Sequence, residues 1–288
     1  MKTKDWLAFA ALSLAWGSSF MWIKIAVQEI GPFLLVGFRI LFGLLGLALV
    51  VAFRKPEWPR QAKQWGVLLL LGLTNTAAPF VLISWAEQYI DSAVASVLNG
   101  SVPLFTMLIA HLLLSDDRMN RQRVLGLLIG FAGVVSLVWR DLQTGLELNL
   151  LAQGAMLLAV LLYAGSAVYA RRSAQGLSPI IQALVPLASA NLLIWTITPL
   201  VEGPLRLPSL PATWFALVWL GIVGSCLAYL LYFYLLHAIG PTRATMVTYT
   251  FPVIGVVLGV VFLHEALNTE LLLGTVLVLA SLYVVNRA

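Results

Sequence analysis

The sequence predicts an all-α membrane protein in which ten transmembrane helices form two inverted five-helix repeats around a central cavity. Three observations carry that reading. Of 288 residues, 61% are hydrophobic and 10% are charged, too few charges to solvate the surface of a soluble globule of this size. The apolar residues fall into ten stretches, each close to the length of about 20 that a helix needs to cross a hydrocarbon core of about 30 Å. The third is a repeated irregularity: ASVLNGSVPLFTMLIA (95–110) places Pro103 in the middle of an apolar run, and ATMVTYTFPVIGVVLG (244–259) does the same with Pro252, 149 residues later.

In chain order, the first five predicted spans run from Trp6 to Val27, Pro32 to Phe53, Trp65 to Gln88, Ser92 to Leu114 and Arg123 to Trp139. The second five run from Leu148 to Ala170, Pro179 to Val201, Thr213 to Leu236, Thr242 to Leu263 and Leu271 to Val285. The first follows Met-Lys-Thr-Lys and has the basic flank of a signal peptide, but its length and its place in the repeat predict a retained helix. Loops between spans are too short to hold a soluble domain. Orientation follows from the basic residues. With the N-terminus in the cytoplasm, 13 of the 17 lie on that side, from Lys2 and Lys4 through Arg54, Arg121 and Arg172 to Arg287. Lys24, Arg140 and Arg206 lie outside, and Arg39 sits within a span. Both termini are therefore expected to be cytoplasmic, and the net charge of +5 reflects membrane topology rather than nucleic-acid binding.

The repeat extends beyond the prolines. Trp85 to Ile90 falls on Tyr234 to Ile239, Ser96 on Thr245, Asn99 on Thr248 and Ser101 on Thr250. Upstream, Trp16 to Lys24 falls on Tyr163 to Arg171, and Pro32 on Pro179; after a one-residue slip, Asp117 with Gly126 matches Glu265 with Gly274. The chain thus divides into residues 1–146 and 147–288, one five-helix repeat each within a single membrane domain. Because five is odd, the second copy enters the bilayer from the opposite face. Inverted repeats of this kind let two half-structures exchange conformations and open alternately to each side, which favours transport over catalysis.

Each proline removes the N–H that would bond the carbonyl four residues back, on Asn99 for Pro103 and on Thr248 for Pro252. A bare carbonyl in lipid costs several kcal/mol, so such breaks persist where protein, hydroxyls or a wet cavity supply a partner. At helical spacing Ser96, Asn99 and Pro103 share a face, as do Thr245, Thr248 and Pro252, and these faces are expected to line the cavity. The alternative is a bend in a packed helix, satisfied locally by the same polar side chains. Trp16, Phe20, Phe80, Tyr163, Trp195, Tyr229, Tyr232 and Tyr249 lie well inside their spans, away from the interfacial belts, and predict a solute with apolar bulk. Arg39 either binds a carboxylate or phosphate, or serves structurally by snorkelling or bracing neighbouring carbonyls.

Other features predict little chemistry. All 12 acidic residues lie in loops or at span ends, so none is expected to act as a midmembrane proton relay. The single Cys226 reads as a packing residue, and His111, His237 and His264 as interfacial. No cofactor or metal is expected, since His264-Glu265 lacks a second histidine and no Cys/His cluster or Gly-rich phosphate loop occurs. Gly126xxxGly130 and Gly255xxxGly259 allow close helix approach, within a monomer or, alternatively, across a dimer. The expected partners are a small-molecule solute and the lipid bilayer, with no nucleic acid.

The AWGSSF motif at Ala15 to Phe20, the pattern Glu87 to Pro103 echoed at Leu236 to Pro252, and the SDD and HEAL segments with their following glycines resemble the EamA branch of the drug/metabolite transporter superfamily. The resemblance covers the whole chain. It implies an alternating-access exporter of amino acids or related metabolites in a bacterial inner membrane, and the intramembrane rings direct comparison to aromatic amino-acid exporters. An intramembrane enzyme or lipid-handling protein, or a channel, are the other classes open; the first two need a reactive group that the spans do not supply.

Overall fold

A computed structural model describes residues 2–54, 56–114, 119–144, 146–239, 244 and 246–286. Asp117, Thr242, Thr245 and Arg287, named above, lie outside the described residues. Among the described residues the regular structure is all helix, with no strand. Among the described residues nine helices are long and apolar enough to cross a membrane: α1 (Thr3–Ala26), α2 (Pro32–Arg54), α3 (Ala62–Ala86), α4 (Ser92–Leu113), α5 (Arg121–Trp139), α6 (Glu147–Ser173), α7 (Pro179–Val201), α8 (Pro211–Tyr232) and α9 (Met246–Leu263). A shorter apolar helix, α10 (Thr269–Val285), completes the ten expected from the sequence.

The packing obeys the exchange of halves that an inverted repeat requires. Helix α2 packs on α8, and its counterpart α7 packs on α3; α1 packs on α9 as α6 does on α4; α1 meets α8 as α6 meets α3. Three further pairs, α2 with α7, α4 with α9 and α5 with α10, join equivalent helices. Because each half holds an odd number of spans, this symmetry axis lies in the membrane plane. Even-numbered helices begin at one end of the bundle, called here the far end, and odd-numbered ones at the end that carries both termini.

Both proline breaks are present, and a hydroxyl beside each bonds the preceding turn in the same way. Helix α4 is α-helical over Ser92–Asn99 and again over Val102–Leu113, with Ser101 Oγ donating to the Leu98 carbonyl at 2.6 Å. Helix α9 opens with a 3₁₀ segment, Met246–Thr250, before Phe251–Leu263, and Thr250 Oγ1 donates to the Val247 carbonyl at 2.6 Å. Since Ser101 and Thr250 are repeat mates, this is one device used twice.

A second paired irregularity was not visible in the sequence. Helix α3 widens into a π-helical stretch at Leu73–Ala77, and α8 does so at Trp219–Leu227. A π turn adds a residue to the ring of hydrogen bonds and re-aims the side chains beside it, which is why such turns concentrate at functional sites.

Small residues let the helices meet. Gly255 of α9 lies where any side chain would collide with Ser96 Oγ of α4, and Gly126 and Gly130 of α5 are filled by Val285 and Ser281 of α10. Both GxxxG motifs are therefore used within the chain. Cys226 is buried against Gly46.

Candidate functional site

A cavity of about 380 Å³ occupies the middle of the bundle, walled by α1–α4 and α6–α9, while α5 and α10 pair off outside it. Ten pairs of its lining residues are repeat mates. With the offset of 147 that joins Trp16 to Tyr163, these are Trp16 and Tyr163, Ser19 and Ser166, Phe20 and Ala167, Ile23 and Ala170, and Arg39 and Pro186. With the offset of 149 that joins the prolines, they are Asn75 and Gly224, Phe80 and Tyr229, Ile83 and Tyr232, Asn99 and Thr248, and Val102 and Phe251. Only Leu71 and Gln182 line the cavity without their mates. The space is thus made by one set of helix faces presented twice.

Aromatic residues form most of one wall. The Trp16 ring centroid lies 5.5 Å from that of Tyr232, 6.3 Å from Tyr229 and 6.0 Å from Phe251, and its Nε1 donates to the Gly224 carbonyl at 3.1 Å, where the π stretch exposes it. The lining also carries polar groups. Arg39 is 6% exposed, so it does not reach the surface; its guanidinium lies 3.9 Å from the Phe80 ring centroid, a cation–π arrangement, and its Nε has no hydrogen-bond partner. Asn99 is buried and its Oδ1 is also without a donor. Ser166 Oγ donates to Thr74 Oγ1 at 2.7 Å beside the α3 π stretch, so this hydroxyl is already occupied.

Several expected site residues stand elsewhere. Ser96 donates its hydroxyl to the Ala93 carbonyl and faces Gly255, and Pro252 packs on Gly100, so both belong to the α4–α9 crossing rather than the cavity. Trp195 bonds Asn191 Oδ1 and meets Phe38 edge-on, which places it between α2 and α7. Tyr249 packs against the main hydrophobic core, and neither it nor Pro103 is among the lining residues. Pro103, Tyr249 and Pro252 lie at the breaks, which turn them off the face that a continuous helix would present, whereas Ser96 and Trp195 are held by helix–helix packing. Sequence reading missed Asn75, Gly224, Ser19 and Gln182. Asn75 carried a signal, as a lone amide in an apolar span.

The two ends of the cavity differ. Ile23 and Ile83, near the far end, are 2% and 5% exposed, whereas their mates Ala170 and Tyr232, near the termini, are partly exposed. The far end is tied across by side chains. Glu202 accepts from the Phe33 and Leu34 amides at 2.7 and 3.1 Å, capping α2, and Glu265 accepts from the Ser92 and Ala93 amides at 2.7 and 2.9 Å, capping α4. Glu29 accepts from Ser209 and from the Leu210 amide at the start of α8, and hydrogen bonds from Thr213 and Ser209 lower its carboxyl to about 2. Lys24 Nζ donates to the carbonyls of Glu87 and Ile90 at 2.7 and 2.8 Å. His264 adopts a left-handed conformation, φ 56°, that ends α9 and turns Glu265 back onto α4.

Comparison with known proteins gives this architecture its family. The profile of the EamA-like transporter family matches residues 4–139 and, a second time, 150–287. The chain belongs to the EamA-like transporter family. Among its relatives, YedA of Escherichia coli K12, described as an uncharacterized inner membrane transporter, is 29% identical over 88% of this chain and 80% of its own. YoaV of Bacillus subtilis, described as an uncharacterized transporter, is 21% identical over 97% of this chain and 96% of its own, and PagO of Salmonella typhimurium is 24% identical over 93% and 88%. A crystal structure with 21% sequence identity superposes with a TM-score of 0.69 over 99% of this chain and 98% of the other, which shows a shared fold. The protein is accordingly a multi-pass membrane protein of a transporter family.

Proposed function

We propose that this EamA protein exports amino acids with aromatic or other apolar side chains, or closely related metabolites, by alternating access, with both termini in the cytoplasm. The observation that carries the proposal is the cavity itself. It has a volume suited to one small solute, and its lining combines several rings with a buried cation and an amide that have unmet hydrogen bonds. A solute's ring would lie against Trp16, Phe20 and Tyr229, while its carboxylate would meet Arg39 and its ammonium the Asn99 carbonyl oxygen. Every such contact replaces an unsatisfied group or a solvated ring face, so binding is favoured by the cavity's own deficits.

The mechanism follows from the paired lining. With the termini cytoplasmic, the present conformation is open to the cytoplasm and sealed outside at Ile23 and Ile83. Exchange of the two repeats' conformations would bury Ala170 and Tyr232 and part Ile23 from Ile83, carrying the solute across without a continuous pore.

Proteoliposomes loaded with unlabelled L-phenylalanine test this. Saturable uptake of labelled L-phenylalanine that requires unlabelled solute on the opposite side is the expected result. Unsaturable flux would instead mark a pore, and a panel of aromatic amines, carboxylates and uncharged rings ranks the head-group requirement.

A further inference from the structure

Glu87 is a carboxylic acid with no exposed surface, and neither of its side-chain oxygens has a hydrogen-bond partner. It caps the far end of α3, four residues past the cavity-lining Ile83 and therefore on the same helix face, one turn beyond the seal. Three charged groups face it. Lys24 of α1 is nearest in kind, but its ammonium is committed to the main-chain carbonyls of Glu87 and Ile90. Arg39 of α2 lies across Phe80 toward the cavity, and Glu265, from the turn after α9, bears the same charge and is held by the α4 amides. A bare carboxylate there would lose its hydration with no donor to replace it, so burial holds the group well above the usual carboxylate range. The position has no counterpart in the other half, where the repeat mate of Glu87 is Leu236.

We propose that Glu87 is a proton-binding site, loaded from the far-side solution as that end closes and emptied back into it as that end opens, so that the transport cycle is proton-linked. The proposal rests on the alternating-access reading for its cycle, and the site itself stands on the buried carboxyl. On closure one proton moves from far-side water to Glu87, and the carboxylate becomes a neutral acid; on opening, water hydrates the group and the proton leaves. The sign follows: a carboxyl whose affinity for protons is raised in the sealed state stabilises that state at low pH. The stabilisation is lost as pH rises through the raised value. Placing the acid in one half only makes the far end pH-sensitive and leaves the end bearing the termini indifferent.

Two arms test it. Infrared spectra of the purified protein, titrated with pH, should show a protonated-carboxyl band that persists above the ordinary glutamate range, disappears in Glu87→Gln and remains in Glu270→Gln. Lys24→Met, which removes a neighbouring cation, should move that titration to higher pH. In proteoliposomes, exchange of L-phenylalanine should quicken as the far-side pH is raised in the wild type, and Glu87→Gln should abolish that dependence while retaining exchange. Absence of the band, or a pH dependence unchanged in Glu87→Gln, overturns the proposal. Wild-type protein that exchanges no solute, yet shows the band, upholds the proton site and contradicts the transport reading instead.

Discussion

The two ends of this molecule are built from the same helix faces and held in different ways. At the far end, α2, α4 and α8 each have their first amides capped by a carboxylate from a distant part of the chain: Glu202, Glu265 and Glu29. At the end bearing the termini, the caps among the described residues are local, as where Asn120 Oδ1 accepts from the Arg123 amide or Gln64 Oε1 from the Gln61 amide. A local cap stabilises one helix, whereas a cap from another helix also fixes the distance between the two. The far end is therefore clasped by carboxylates at three helix starts, while among the described residues the end bearing the termini is joined by the Tyr234 hydroxyl donating to Asp5 and by Gln122 Nε2 donating to the Val284 carbonyl. The difference teaches that direction, in a nearly symmetric fold, resides in the acidic residues that join helix starts to distant parts of the chain at the far end.

The largest expected effect comes from undoing that clasp. Charge-assisted hydrogen bonds are worth about 1.5–3 kcal/mol each, and about 1.4 kcal/mol is tenfold in an equilibrium. The double change Glu202→Ala with Glu265→Ala should shift the balance toward a parted far end by about tenfold or more. Spin labels at Gln88→Cys and Leu267→Cys would read this as a longer, broader distance; an unchanged distribution would mean that packing alone holds the seal. Arg39→Gln comes next. If the guanidinium meets a solute carboxylate, exchange of L-phenylalanine should fall by about tenfold, with far less effect on an uncharged ring analogue. Equal losses for both solutes would return Arg39 to a structural role. Asn99→Ala should slow exchange only a few-fold, about 1 kcal/mol for one neutral hydrogen bond, without impairing insertion.

The smallest effect concerns Glu29. Its carboxyl is held at about 2 by the hydroxyls of Thr213 and Ser209, so its contribution is complete above the ordinary carboxylate value and is lost only as pH falls toward 2. Hydrogen exchange at the Ser209 and Leu210 amides, corrected for the intrinsic rate, should stay level between about pH 7 and about pH 5. A rise within that window would show that the clasp yields much earlier.

Much of this was legible in the chain. Apolar length placed the spans to within a few residues, and the matched prolines exposed the repeat, because a helix break in lipid is costly and so leaves a strong trace. Cavity-lining residues were legible where the repeat could be followed, as for Trp16 with Tyr163 and Asn99 with Thr248. Ser96, Pro103 and Pro252 were assigned by helical period, which fails across a 3₁₀ or broken turn, and Trp195 and Tyr249 by their depth in a span, which does not tell a packed ring from a lining one. The π stretches at Leu73–Ala77 and Trp219–Leu227 brought Asn75 and Gly224 to the cavity, and no residue type announces such a turn. Glu202 and Glu265 looked like ordinary loop acids because their partners lie 169 and 173 residues away. Glu87 was read as a span-end residue, and only tertiary packing reveals that it is sealed.

The central claim is that one cavity, lined by mated residues of two inverted repeats, is closed beyond Ile23 and Ile83 and open beyond Ala170 and Tyr232. Thiol labelling in oriented vesicles tests it most directly, with Cys226→Ser as background and Ile83→Cys or Ala170→Cys added one at a time. An impermeant reagent should reach Ala170→Cys from the side bearing the termini and should leave Ile83→Cys unmodified from the far side until the Glu202 and Glu265 caps are removed. Ready labelling of Ile83→Cys from the far side with both caps intact, or an Ala170→Cys that no reagent reaches from either side, would contradict the account.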